Sequence, residues 1–272
     1  MKDYFQKISD KLFNSLENHE ILVLNFDAEK TDFVRFNHSK IRQAGNVNQA
    51  TLTLNLIFKK KTLTSVIRLS TDFEKDSVLL IRTLYYLRRE IPELPKDPYL
   101  MYEQNINSFE KNIIGSKLDN YSITGNILDN CHALDMVGIL SSGTIMKGFA
   151  NSLGQFNWHE SESFNFDWSM YAESGKAIKQ NYSDQEWNQE VFSHLLSESK
   201  EKLKVIDNKE IILQPGKYKV YLSPSALNEI VDMLSWGGFS YKANKIGSSP
   251  LHLMEKGEKS FSEIVSFSEN LS

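Results

Sequence analysis

Cysteine is all but missing from this chain. Cys131 stands alone among 272 residues, so no disulfide can form within it. Proline is scarce too. There are six, and half of them, Pro92, Pro95 and Pro98, fall within seven residues. No apolar run approaches the ~18 residues of a membrane span, so no membrane partner is expected. The opening MKDYFQKISDKLFNSLEN has neither an apolar core nor a small-residue cleavage site and does not read as a secretory signal. Basic charge is not in excess. Lys and Arg number 31 against 35 Asp and Glu, a net charge of −4. Proteins that bind nucleic acid by neutralising phosphates carry basic patches, so no nucleic-acid partner is expected. The run Lys59-Lys60-Lys61 lies between two strand-like segments and reads as a solvated turn. The chain reads as cytoplasmic, and the sequons at Asn37, Asn120, Asn181 and Asn270 then carry little weight.

What is present is ordinary for a globular protein: 40% hydrophobic and 24% charged residues. Phe5, Ile8, Leu12 and Leu16 recur every three or four residues and predict a helix over 3–18. ILVLNF (21–26) reads as a short buried strand. Leu52, Leu54, Leu56 and Phe58 alternate with Thr51, Thr53, Asn55 and Ile57, and 62–69 can return beside them as a second strand. Thr71 and Glu74 have capping-box spacing ahead of a helix that should run to Glu90, where the prolines stop it. A second, similar succession follows: a helix near 122–132, strands at 135–142, 144–151, 155–171 and 176–182, then a Ser183–Glu186 capping pair and a helix to about 204. FNHS (36–39) and FANS (149–152) occupy corresponding places in the two halves. KYKVYLS (217–223) reads as a strand. Ser223 and Pro224 open a short helix whose stripe Leu227, Ile230, Val231 and Leu234 should be buried, and Gly237-Gly238 end it. FSEIVSFSE (261–269) is the last strand-like piece. The organisation predicted is α+β, with mostly antiparallel strands. It comprises a first helix–sheet–helix half over 1–98, a second over 99–212, and the start of a β-rich C-terminal domain over 213–272.

Metal chemistry has one obvious place to look. His159-Glu160 in NWHESESF resembles the start of a zinc helix, but no second histidine follows at the required spacing. Alternation of Phe156, Trp158 and Glu160 with Asn157, His159 and Ser161 favours a strand. His19-Glu20 leads straight into ILVL and fails likewise. Cys131-His132 reads as a helix end and His194 as a structural histidine within a helix, packed or exposed. There is no glycine-rich phosphate loop and no nucleophile elbow.

Three long stretches carry a resemblance: DFVRFNHSKIRQAGNVNQ, GFANSLGQFNWHESESFNFDWSMY and VYLSPSALNEIVDMLSWGGFSYKANKIGSSPL. Together, in this order, they resemble the TldD/PmbA family of metallopeptidase-related proteins, also labelled modulators of DNA gyrase. In that family TldD-like members carry HExxxH on a helix and bind zinc, whereas PmbA-like members, also called TldE, lack it. The resemblance puts the metal motif on the helix after VYLSPS. Here both histidines are replaced, by Asn228 and Met233, and only Glu229 remains. Asn is a weak neutral ligand and Met a soft thioether poorly suited to zinc. The resemblance therefore implies a PmbA/TldE-like subunit with no catalytic or metal-binding residue of its own and no cofactor, zinc being expected in a TldD-like partner. It implies a role in degrading or processing small unfolded peptides. The alternative is a stand-alone peptide- or protein-binding module, and a homodimer is left open. Asn151, Ser152, His159 and Glu160 are the candidate peptide contacts, Asn151, Ser152 and Gly154 having a turn-shaping role as the other reading. The family continues into a larger β-rich domain, so the chain is expected to lack most of it.

Overall fold

A computed structural model describes residues 1–113, 118–266 and 268. Met1–Asp97 with Tyr102–Ile211 forms one compact unit, and Pro98–Met101 with Ile212–Ser272 forms a second. The first unit is built on one seven-stranded sheet. Its elements are α1 (Lys2–Phe13), β1 (Glu20–Asn37), β2 (Lys40–Phe58), β3 (Lys61–Leu69), α2 (Phe73–Glu90), β4 (Glu110–Ile113), α3 (Asn120–Cys131), β5 (Met136–Asn151), β6 (Phe156–Tyr171), β7 (Ala177–Asp184) and α4 (Gln189–Ile206). The strand order is β3-β2-β1-β5-β6-β4, with β7 also on β6. Every pairing is antiparallel except β4 with β6. This is the mixed α+β class with mostly antiparallel strands that the sequence predicts.

Strand alternation gives the sheet two faces. All four helices cover the same one. Under α1 and α2 lie Phe5, Ile8, Leu12, Leu24, Phe26, Leu52, Leu54 and Trp158. Under α3 and α4 lie Phe36, Ile127, Met136, Leu140, Phe166, Trp168 and Phe192. Each half contributes helix, three strands, helix, and the halves join where β1 pairs β5. The ends of these two strands are fastened alike. The Ser152 N–H donates to the Leu22 carbonyl and Ser152 Oγ accepts from the Leu22 N–H, while the Ser39 N–H donates to the Met136 carbonyl. FNHS and FANS thus occupy equivalent corners of a pseudo-two-fold arrangement.

Between the two helical layers the covered face turns polar, with Lys30, Asp32, Ser142, Thr144 and Glu162 at positions that point the same way as the core residues. β1 runs to Asn37, well past the predicted 21–26: the polar stretch Glu29–Asp32 interrupts its apolar alternation, which Val34 and Phe36 resume. The predicted strands 135–142 and 144–151 are one strand, β5. At Gly143, the residue left between the two predicted ranges, β1 passes too close for any side chain, since a Cβ there would lie 2.0 Å from the Lys30 carbonyl oxygen. Both predicted caps shift. Asp72, not Thr71, accepts from the Glu74 and Lys75 N–H groups, and Thr71 has φ 66°. Asn188 caps α4, because Ser183 lies inside β7.

The second unit holds α5 (Pro224–Ser235), α6 (Tyr241–Lys245) and α7 (His252–Glu255). Ser223 caps α5 as predicted, its Oγ accepting from the Ala226 N–H. Two expectations fail. Residues 217–223 form no strand, for no described strand pairs with them, and 261–266 form none either; Phe267 and Glu269 lie outside the described residues, as does the Asn270 sequon. The α5 stripe is not buried. Leu227, Ile230 and Val231 are all more than 40% exposed. No helix of the described residues is long and apolar enough to cross a membrane.

Candidate functional site

The helix on which the resemblance puts the metal motif is α5. Asn228, Glu229 and Met233 are all exposed, and the Asn228 amide donates to Asp232 Oδ2 at 3.0 Å, one turn on. The helix runs unbroken from Pro224 to Ser235, so positions 228 and 233 point roughly 140° apart. A committed neutral amide, a lone carboxylate and a thioether aimed elsewhere do not fit a zinc ion. Among the described residues no group of three His, Cys, Asp or Glu side chains is placed to hold a metal.

The second candidate group divides in two. Asn151 is 1% exposed at the end of β5. Its Oδ1 accepts from the Leu153 N–H at 3.0 Å and the Gln155 N–H at 3.1 Å, and its Nδ2 reaches the Glu103 carbonyl at 3.4 Å. With Gly154 at φ 109°, which favours glycine, this closes the turn into β6. Ser152 is spent on Leu22, as above. Both side chains hold the corner of the sheet.

His159 and Glu160 are adjacent in β6 and therefore on opposite faces. Glu160 lies on the helix-covered face, where it accepts from Trp158 Nε1 at 3.3 Å. His159 lies on the other face, between Lys147 of β5 and Lys111 of β4 in register. It lines a groove of about 620 Å³ with Asn25, Asp27, Thr53, Lys147 and Phe149. Lys147 approaches Asp27 at 3.7 Å.

Sequence reasoning missed a second groove at the other end of that face. Arg35, Arg42, Val137, Ile139, Asp167 and Lys179 border about 570 Å³. In it Lys179 of β7 approaches Asp167 of β6 at 3.9 Å. No sequence motif marks it. The one signal was the strand register, which only pairing supplies.

No protein-family model matches the sequence. No curated protein matches it either. Solved structures do. A candidate modulator of a DNA gyrase from Thermotoga maritima superposes with a TM-score of 0.67 at 14% identity, over 91% of this chain and 58% of that one. TldE from Thermococcus kodakarensis gives a TM-score of 0.50 at 11% identity, over 74% of this chain and 47% of TldE. A candidate modulator of DNA gyrase from Bacteroides thetaiotaomicron gives 0.50 at 10% identity, over 75% and 49%. The chain thus spans little more than half the length of the first and about half of the others. It shares the fold of these gyrase-modulator and TldE proteins, the fold that the resemblance to the TldD/PmbA family implied.

Proposed function

We propose that this chain is a TldE-like subunit that holds no catalytic metal and works beside a zinc-bearing, TldD-like chain in the handling of small unfolded peptides. The observation that carries this reading is the donor set on α5. Where the resemblance places two histidines, the chain has Asn228, already bonded to Asp232, and Met233. Glu229 without a bound metal has no metal-activated water to deprotonate. The likeness in fold to TldE supports the same side.

A second reading, a stand-alone peptide-binding module, draws on β3. It is an edge strand of the sheet, and an unpaired edge can accept an extended peptide. The two readings separate in a peptidase assay on unstructured peptides. The subunit reading expects no cleavage by this chain alone and cleavage when a TldD-like chain from the same genome is added. Cleavage by this chain alone, blocked by a chelator, would sink both.

A further inference from the structure

We propose that the groove at Arg35, Arg42 and Lys179 receives the C-terminal carboxylate of a short peptide. The inference deepens the peptide-handling reading and rests on it for the class of ligand.

The geometry begins with a β-bulge. Along β1 and β2, Arg35 pairs Gln43 while Phe36 pairs Ile41, so Arg42 is the extra residue. A bulge re-aims the side chain it carries, and here it brings Arg42 to the same groove as Arg35. Both are exposed, and among the described residues neither is paired with a carboxylate. Arg35 leans over the Phe33 ring at 5.8 Å, which holds its guanidinium above the sheet. The nearest acid in register is Asp167, but Ile139 stands between them on β5. Two strand spacings, about 10 Å, separate the backbones, and Asp167 faces Lys179 instead. Three cations thus meet one carboxylate, in a chain whose overall charge is negative.

The floor between the charges is apolar, made by Val137 and Ile139. Forked guanidinium donors suit the planar carboxylate, and the apolar floor suits the side chain of the residue that bears it. A phosphate-rich polymer would find no use for that floor.

The test is fluorescence anisotropy of the purified full chain with a dye-labelled Ala-Phe-Val peptide, as free acid and as C-terminal amide. The free acid should bind at least about tenfold more tightly, the weight of a charge-assisted hydrogen-bond pair. The Arg35→Ala and Arg42→Ala variants should each lose most of that preference, and Arg82→Ala, an exposed helix charge elsewhere, should keep it. Far-UV circular dichroism melts confirm that the variants fold. Equal binding of acid and amide would overturn the proposal, as would a preference that survives both arginine substitutions. An amidated peptide with an internal aspartate binding as well as the free acid would overturn it in favour of side-chain recognition. Displacement of the peptide by inorganic phosphate, but not by acetate at the same concentration, would overturn it in favour of a phosphate site. Binding of neither form by the chain alone would also overturn the proposal, whereas failure to join a TldD-like partner on co-expression would overturn the subunit reading and leave a carboxylate preference standing.

Discussion

Asn151→Ala separates a structural corner from a peptide contact. The substitution removes two hydrogen bonds accepted by Oδ1, from the Leu153 and Gln155 N–H groups. Each is worth ~1 kcal/mol net, and a donor stranded in the interior costs ~1–3 kcal/mol more. Leu153 is on the surface, where water can replace the lost acceptor, but Gln155 is only 7% exposed. The expected loss is therefore about 2–4 kcal/mol. For a unit of this size that lowers Tm by about 5–12 °C. The assay is urea and thermal unfolding of wild type, Asn151→Ala and Asn151→Asp. Aspartate keeps the acceptor but buries a carboxylate and sets its second oxygen against the Glu103 carbonyl, so it should recover only part of the loss. An alanine variant as stable as wild type would refute the reasoning. If it also lost peptide binding, Asn151 would be a contact after all.

Three further outcomes are expected. Asn188→Ala should cost ~1 kcal/mol as a lost helix cap, whereas Ser183→Ala, inside β7 and capping nothing, should change little; equal effects in urea melts would contradict the cap assignment. Burial raises the pKa of Glu20, but hydrogen bonds from Arg88 and the Glu17 backbone outweigh it and leave the carboxyl below its ordinary 4.5. A depressed folded-state pKa contributes stability that is present above the unfolded value and lost as pH falls through the folded one, so stability should decline below about pH 4.5, and Arg88→Met should flatten that part of the profile. Burial pushes the Cys131 thiol up to about 11, against a smaller opposing pull from Lys200. It should resist a thiol-reactive dye at pH 8 in the folded chain and react in urea; fast labelling of the native protein would contradict its placement under α3 and α4.

Periodicity found what the core demands. The stripe Phe5, Ile8, Leu12 and the alternation Leu52, Leu54, Leu56 identify α1 and β2 because those side chains are buried. Periodicity failed where the sheet is polar on both faces. The middle of β1, with Lys30 and Asp32 between the helical layers, carries no apolar pattern to read. The division of β5 into 135–142 and 144–151 fell at Gly143, a glycine needed for close approach inside one continuous strand. Thr71 misled because the box spacing fitted it, while Asp72, one residue on, took the extended backbone a cap requires. The loss of both histidines from the α5 motif was legible once the resemblance placed it. That Leu227, Ile230 and Val231 are exposed was not, since an apolar stripe says that a helix wants a partner and not where one is.

Alternation alone set His159 and Glu160 on a strand, and β6 carries them on opposite faces. The Arg35–Arg42 groove was invisible by contrast. Residues seven apart in sequence meet only because a hairpin and a bulge bring them together.

The most direct test of the central claim is native mass spectrometry of this chain, alone and after co-expression with a TldD-like protein from the same genome. The account predicts a metal-free chain when alone, and a heteromeric complex whose zinc is carried by the partner. Stoichiometric zinc on this chain alone would contradict it.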